Sequence, residues 1–215
     1  MEKGDMVLVD YVGKSDGEIF DLTVKEKAEE EGMNIEEMDF ESIPVLIGEQ
    51  YVIDGFEETL EEMEVGDEKE VDIPKDKAYG DRSSENVETY PEKEFKKQGV
   101  DVRRGEEVMV GNRRGKVISA SSGRIKIDFN HPLAGKDLEY WIKVKEKVEE
   151  DEEKAKYIFN YRVGHGGDDL EFEDGTVKAE KTHSHEGHEH ELPEQLREKV
   201  KEEIEDHTDF EVEFV

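Results

Sequence analysis

Residues 46–60 read LIGEQYVIDGFEETL, and this stretch decides the fold of the 215-residue chain. Phe56 and Leu60 in this stretch, and Met63 just after it, are apolar residues spaced by four and by three positions. Such spacing defines one face of a helix, so we predict a helix over 54–65 with Asp54 as its N-cap. A strand is predicted on each side of this helix, at 42–47 and at 68–74.

Other segments are rich in β-forming residues beside turn signals, and residues 138–148 also alternate through Tyr140, Ile142 and Val144. We predict strands at 5–12, 18–21 and 138–148, the first two joined as a hairpin by the turn Ser15-Asp16-Gly17. Residues 23–40 are mostly charged, with too few apolar residues for a deep core, and we predict a short solvated helix and a loop there. Strands and short helices in this order indicate an α+β fold.

A change in charge marks a second unit. Residues 82–130 contain 11 Lys and Arg against 8 Asp and Glu, whereas the whole chain is strongly acidic. This block has its own turn signals, a predicted helix at 91–98 and predicted strands at 107–110, 115–120 and 124–129. We expect it to fold separately from the rest of the chain.

A third, small α+β unit is predicted beyond a charged linker at 149–153. Its predicted strands are 157–163, 170–172, 177–181 and 209–215, with a His-rich loop and a helix near Pro193 before the last strand. Four apolar residues alternate in the first strand: Tyr157, Phe159, Tyr161 and Val163. A sheet this small needs a cover on its apolar face. We therefore predict a homodimer through this unit, with direct binding of clients as the alternative.

Composition excludes several classes of partner. The chain has 61 Asp and Glu against 30 Lys and Arg, a formal net charge of -31. This charge repels phosphates and anionic lipids, so we expect neither nucleic acid nor a membrane as a partner. No apolar run is long enough to span a bilayer and Met1 leads into polar residues, which predicts a cytoplasmic protein. The absence of cysteine excludes disulfides and a Cys nucleophile. The acidic surface suits a saline or a hot habitat equally.

The chain carries no sequence motif of nucleophilic or phosphate chemistry: a Gly-rich phosphate loop, GxSxG and HExxH are all absent. In so acidic a chain, pairs of carboxylates are common and do not by themselves indicate a catalytic site. Aromatic and aliphatic residues beside glycines do stand out, around Tyr11, Phe20, Phe56 and Tyr79. Either the core of a sheet and helix or an apolar binding pocket would explain them.

Several spaced motifs together resemble the FKBP-type peptidyl-prolyl isomerases. They are residues 46–60 with Met63-Glu64-Val65-Gly66-Asp67, the upstream Val9-Asp10-Tyr11-Val12-Gly13 and Asp16-Gly17 to Phe20-Asp21, and the downstream Ala78-Tyr79-Gly80. Residues 130–136, NHPLAGK, resemble the SlyD-like branch, in which an insert-in-flap domain precedes this segment. The resemblance covers 1–149, and the third unit is similar to the C-terminal extension of long archaeal members.

The resemblance implies an antiparallel sheet wrapped on a short helix, with a small β-rich domain inserted in a flap. The implied domains are the first part of the isomerase domain at 1–82, the insert at 83–129, the closing strand of the isomerase domain at 130–149, and an α+β accessory or dimerisation domain at 150–215.

The resemblance also implies rotation of X-Pro bonds in a pocket that requires no cofactor. Carried over residue by residue, the pocket is lined by Tyr11, Phe20, Asp21, Val52, Ile53, Phe56, Tyr79 and Tyr140. Two of these depart from the best-known members, because Phe56 stands where the floor is often Trp and Tyr140 replaces a Phe. The Ile53 N–H and the Tyr79 hydroxyl are the implied donors to peptide carbonyls, and Asp21 is implied to orient the pocket.

By the same resemblance, the insert captures unfolded or proline-containing polypeptide clients for the pocket. A unit of this size cannot bury all its apolar residues. Client binding is therefore expected at Val87, Tyr90, Phe95, Val100, Val102, Val108 and Val110. Alternatively, these residues only fill the small core. A chaperone that holds clients without catalysis is the main alternative function.

Four histidines lie within the eight residues 183–190: His183, His185, His188 and His190. Clustered imidazoles favour nickel or zinc, so we predict that this segment binds one of these metals. Metal-binding His-rich segments also occur in SlyD-like proteins, in a longer C-terminal tail. A metal-handling protein is a second alternative function, and a polar loop with no ligand would explain the same residues.

Overall fold

The computed structural model describes residues 1–36, 38, 40–97, 99–185 and 188–215. Its α-helices are α1 (Lys25–Glu30), α2 (Asp54–Glu61), α3 (Glu92–Lys97), α4 (Asp151–Val163) and α5 (Glu194–His207). Its strands are β1 (Met6–Ser15), β2 (Glu18–Leu22), β3 (Ile43–Leu46), β4 (Glu68–Ile73), β5 (Val87–Pro91), β6 (Glu107–Val110), β7 (Arg113–Ser121), β8 (Arg124–Asp128), β9 (Leu138–Val148), β10 (Glu171–Glu173), β11 (Thr176–Ala179), β12 (Thr182–His185), β13 (His188–Glu191) and β14 (Glu211–Phe214).

The main sheet has five strands, in the order β2-β1-β9-β4, and β3 also pairs with β1. All its pairs are antiparallel. β3 pairs with the first half of β1 and β2 with the second half. Helix α2 packs on one face of this sheet through the buried Phe56 and Leu60. The antiparallel sheet on a short helix, and the α+β class, are confirmed.

Helix α2 is shorter than predicted and begins differently. It ends at Glu61, and its N-cap is Ile53 rather than Asp54. Asp54 is the first helical residue. Its negative charge there interacts favourably with the positive end of the helix dipole, but its side chain does not cap the helix. The predicted N-cap was therefore wrong by one residue.

The block between β4 and β9 forms its own four-stranded sheet, in the order β5-β8-β7-β6. Its buried core is small: Val102, Val117, Ile125 and Ile127. Strands were predicted at three of these four positions. The fourth, β5, was missed because it ends in Pro91, which sequence rules treat as a strand breaker.

The C-terminal unit differs most from prediction. Residues 157–163 lie in helix α4 and do not form a strand. The alternating residues that predicted a strand also fit a helical spacing. The buried residues Ala155, Ile158 and Phe159 lie on one face of the helix, with Ile158 and Phe159 three and four positions after Ala155. Three acidic residues in the first turn and Gly164 in the left-handed conformation after the last turn favour the helix.

A three-stranded sheet, β10-β11-β14, completes this unit, with β11 and β14 parallel. The predicted His-rich loop is instead a hairpin formed by β12 and β13. The core of the unit includes Met6, Leu46 and Val148 from the main sheet, so the two units share buried residues. Among the helices of the described ranges, none has the length and apolar character needed to traverse a bilayer.

Candidate active site

Four aromatic rings meet on one side of the main sheet. Tyr11 lies on β1, Phe20 on β2, Phe56 on α2 and Tyr140 on β9. The Phe56 and Tyr140 ring centroids are 5.1 Å apart at 87°, and those of Tyr11 and Phe56 are 5.9 Å apart at 89°. Phe20 meets Tyr140 edge-to-face at 5.8 Å. Edge-to-face rings of this kind stabilise one another beyond the area they bury.

Strand register brings these rings together across 130 residues of sequence. Gly13 of β1 pairs with Tyr140 of β9 and with Asp21 of β2. A Cβ atom on Gly13 would lie 2.7 Å from Phe20 Cζ and 2.9 Å from Tyr140 Cε1. The two rings therefore occupy the space that a side chain would need at Gly13.

One carboxylate stands at the rim of the aromatic cluster. The Tyr11 hydroxyl donates a hydrogen bond of 2.6 Å to Asp21 Oδ2, and Asp21 is exposed. Burial, and then the Asp21 carboxylate, raise the pKa of Tyr11, so its hydroxyl stays protonated and remains a donor. Burial likewise raises the pKa of Tyr140. The cluster thus combines buried aromatic rings with the carboxylate of Asp21 at its edge.

Val52 and Ile53, both predicted as site residues, directly precede helix α2. Both are half-buried and pack against the same core as Phe56. The carbonyl oxygen of Ile53 accepts from the amides of Phe56 and Glu57, which fixes the chain direction where the helix begins.

Tyr79 lies near Asp21. It is 38% exposed, and its ring stacks on His131 with centroids 3.8 Å apart and planes at 8°. Burial, and then the Asp21 charge, raise the pKa of Tyr79. Burial lowers the pKa of His131, so at neutral pH the imidazole is uncharged, and its Nδ1 accepts from the Leu133 amide. Sequence reasoning missed the His131 contact, although this residue stood within a recognised motif.

A polar network ties together the two chain segments that lead into and out of the insert. The buried Asp128 accepts from the Arg82 guanidinium and from the backbone and side chain of Asn130. Asn130 in turn exchanges two hydrogen bonds of 2.9 Å with the backbone of Ser83. Nearby, the Gly135 amide donates to the Gly80 carbonyl at 2.6 Å. The chain entering the insert is thus held against the chain leaving it by hydrogen bonds.

The insert presents some of the predicted client-binding residues and buries others. Val100 is exposed, whereas Val102 is 8% exposed in the core of the insert, which leaves it little surface for a client. The remaining predicted residues are half-buried: Val87, Tyr90, Phe95, Val108 and Val110. Met109, 59% exposed on the edge strand β6, was not predicted. Strand alternation explains this, since Met109 points away from its core-facing neighbours.

The predicted metal-binding histidines lie on the hairpin β12-β13. Its register pairs His183 with His190 and His185 with His188. The side chains of these four residues lie outside the described part of the structure. Within the described part, no group of three or more ligating side chains is gathered as a metal site.

Two family models match overlapping parts of the chain. The family model described as "FKBP-type peptidyl-prolyl cis-trans isomerase" matches residues 1–96, and the one described as "FKBP26, IF domain" matches residues 89–133. A "Short-type peptidyl-prolyl cis-trans isomerase" of Methanocaldococcus jannaschii is 36% identical over 146 residues, covering 68% of this chain and 93% of the relative. The "FKBP-type peptidyl-prolyl cis-trans isomerase SlyD" of Aeromonas hydrophila is 30% identical over 146 residues, covering 66% and 61%.

Proposed function

This chain belongs to the FKBP-type peptidyl-prolyl cis-trans isomerase family, and on that premise we propose that it rotates X-Pro bonds in unfolded or partly folded proteins that its insert captures. The observation that supports the proposal is the cluster of four aromatic rings around the buried Phe56, in which the Tyr11 hydroxyl is hydrogen-bonded to the Asp21 carboxylate. Hydrogen bonds between Ser83 and Asn130 hold the two ends of the insert together, and His131, which follows Asn130 in sequence, stacks on Tyr79.

The chemistry matches this pocket because no covalent bond forms or breaks. Rotation about the imide faces a barrier of about 18–20 kcal/mol that arises from resonance. Resonance makes the planar imide more polar than the twisted one, so an apolar, water-poor cleft favours the twisted state. Phe56 and Tyr140 would hold the proline ring, and the Ile53 N–H and Tyr79 hydroxyl would bind the flanking carbonyls. Asp21 orients Tyr11 and takes no proton.

Catalysis is tested by proline-limited refolding of a model protein, with the full chain and two pocket variants. We expect Phe56→Ala and Tyr79→Ala to lower kcat/KM about tenfold or more, since each removes a group that contacts the proline or its carbonyls. Val65→Ser is the matched control, because Val65 is 52% exposed outside the pocket. Wild-type rates in both pocket variants would contradict the pocket assignment. A wild-type chain without catalysis would favour the alternative of a chaperone that only holds clients.

Client capture is tested separately on the insert. We expect the double variant Val100→Ser, Met109→Ser to lose protection of an aggregating protein while isomerisation of a short peptide stays unchanged. Both residues are exposed, at 44% and 59%, so the change removes apolar surface without opening the core. The Val65→Ser variant again serves as the control. Unchanged protection in the double variant would remove the support for capture at this surface.

We propose in addition that the hairpin β12-β13 binds nickel or zinc through His183, His185, His188 and His190. The register that pairs these residues across two strands supports this, because cross-strand neighbours are close. Calorimetry with Ni²⁺ and Zn²⁺ on the full chain and on a variant with all four changed to Ala tests it. Equal affinity in both proteins would rule out the site.

Two predictions about the whole protein remain. The homodimer was inferred from an uncovered apolar sheet face formed by strands at 157–163 and 209–215. The first strand is wrong because this segment is helix α4, whereas the second is present as β14. Light scattering on the full chain measures the oligomeric state directly. A cytoplasmic location also remains a prediction, which fractionation of the source cells would test.

A further inference from the structure

The C-terminal unit contacts the chain segment that leads into the pocket. Tyr51 directly precedes Val52 and Ile53 in sequence, and its hydroxyl donates a 2.6 Å hydrogen bond to Glu203 Oε1 on helix α5. The other oxygen of the same carboxylate accepts from Arg162 Nε at 2.5 Å. One buried carboxylate thus joins a residue beside the pocket to helices α4 and α5.

Burial makes this junction sensitive to single changes. The Glu203 residue is only 5% exposed, so protein donors must supply the hydrogen bonds that water would otherwise give to its carboxylate. Burial, and then the Glu203 carboxylate, raise the pKa of Tyr51, which keeps its hydroxyl protonated as a donor. Removing one partner leaves the others with an unmet hydrogen bond in a poorly solvated place.

Ring contacts hold the same residue from another side. The Tyr51 and Tyr161 rings stack with centroids 3.6 Å apart and planes at 9°. The Arg162 guanidinium lies 5.4 Å from the Tyr51 centroid and 4.9 Å from that of Tyr161. The Tyr161 hydroxyl also donates to the Tyr51 carbonyl oxygen at 3.4 Å. Both the side chain and the backbone of Tyr51 are therefore held by helix α4.

The backbone just before Tyr51 needs such support. Gln50 has φ of 56°, a left-handed conformation that is unfavourable for a residue with a side chain. Such a conformation persists when its surroundings hold it in place. Tyr51 packs against both the core of the C-terminal unit and the core beneath the pocket. A shift at Tyr51 would therefore move the next two residues, Val52 and Ile53.

We propose that Glu203 is a positioning residue for the prolyl pocket: through Tyr51 it fixes the segment that presents the Ile53 N–H and the Val52 side chain to the peptide. The C-terminal unit, in which none of the described side chains belongs to the predicted pocket, would in this way set the affinity for the peptide. This inference rests on the proposed function of the pocket.

The test compares Tyr51→Phe and Glu203→Gln with Glu202→Gln in the full chain. Tyr51→Phe keeps the ring stack and removes the bond to Glu203, whereas Glu202→Gln removes one exposed charge from the same helix. We expect KM for a proline-containing tetrapeptide to rise about threefold to thirtyfold in the first two variants, with kcat within about twofold of wild type. The control should match the wild type in both.

A rise in KM with nearly unchanged kcat distinguishes a loss of positioning from a simple loss of stability. A partly unfolded enzyme has fewer active molecules, which lowers the apparent kcat and leaves KM unchanged. We also expect the NMR amide signal of Ile53 to shift more in Tyr51→Phe than in Glu202→Gln. Should Glu203→Gln not fold, Tyr51→Phe alone decides, because it retains the buried carboxylate and its Arg162 partner.

An unchanged KM and an unmoved Ile53 signal in Tyr51→Phe would overturn the inference. The Phe56→Ala variant, measured in the same assay, keeps that outcome distinct from a failure of the proposed function. If Phe56→Ala loses activity while Tyr51→Phe matches the wild type, only the positioning role falls. If the wild type is inactive, the proposed function itself falls.

Discussion

At the scale of single residues, Gly13 shows how tightly the pocket is built. The rings of Phe20 and Tyr140 leave no room for a Cβ atom there. Gly13 was recognised as part of a family motif, but its physical role follows from contacts with two residues distant in sequence. No local pattern predicts that a glycine is needed for a close approach of rings.

We expect Gly13→Ala to lower kcat/KM about tenfold to a hundredfold, because the added methyl group must displace one of the two rings from its place in the pocket. The free energy of unfolding should fall by about 1–3 kcal/mol through overpacking. Refolding kinetics and chemical denaturation measure the two effects. Wild-type activity in this variant would show that the rings can move without consequence for catalysis.

The pKa of His131 predicts a dependence of stability on pH. Burial lowers this pKa below its ordinary value of 6.5, so the folded state favours the neutral imidazole. Its contribution is fully present above 6.5 and is lost as the pH falls from 6.5 through the lower folded value. The protonated ring would also lose its role as acceptor from the Leu133 amide.

His131→Phe keeps a ring against Tyr79 and removes the titrating group. We expect the free energy of unfolding of the wild type to fall relative to that of His131→Phe as the pH is lowered from 6.5. Denaturation at several pH values measures this difference, and an NMR titration gives the pKa directly. A His131 pKa at or above 6.5 would contradict the prediction.

At the scale of elements, the sequence predicted best the parts with one clear period. Strands β4 and β9 and helix α2 were found because each alternates or repeats on one buried face, and β1 was found because it is a run of β-forming residues bounded by turn residues. Helix α4 was missed because its residues satisfy both periods, and burial of Ala155 and Ile158 is visible only in three dimensions. The pocket rings could be named from a family resemblance, whereas the bond from Tyr51 to Glu203 joins residues 152 positions apart and has no local signal.

The polar network at the base of the insert gives a prediction at this scale. We expect Asp128→Ala to lower the free energy of unfolding by about 1–3 kcal/mol, since it leaves the Asn130 amide without its acceptor. Amide hydrogen exchange at Ser83 and Asn130 should accelerate. Asp101→Ala is the control, because the Asp101 side chain is 76% exposed in the same insert. Equal exchange rates in the two variants would show that the network does not hold the crossing.

At the scale of the whole molecule, charge dominates. The net charge of -31 is distributed over a surface on which ion pairs are mostly exposed, and exposed pairs contribute little each. Repulsion among the excess carboxylates therefore opposes the compact state.

We expect the midpoint of thermal unfolding to rise by at least about 3 °C when NaCl is raised from about 0.02 M to about 0.3 M. Over this range the Debye length shrinks from about 20 Å to about 6 Å, which screens the repulsion. Calorimetry measures the shift, and sucrose at equal osmolality controls for effects that do not depend on charge. A lower midpoint at the higher salt would mean that attractive pairs outweigh the repulsion.

The hydrogen bond between the Gly135 amide and the Gly80 carbonyl has a consequence for the evolution and the engineering of such chains. Because the chain leaves the main sheet and returns to it at neighbouring points, the segment between these points can be exchanged as a unit. A foreign recognition module whose termini are equally close could be spliced at this junction without altering the sheet. Different specificities could then be grafted onto one rotamase body.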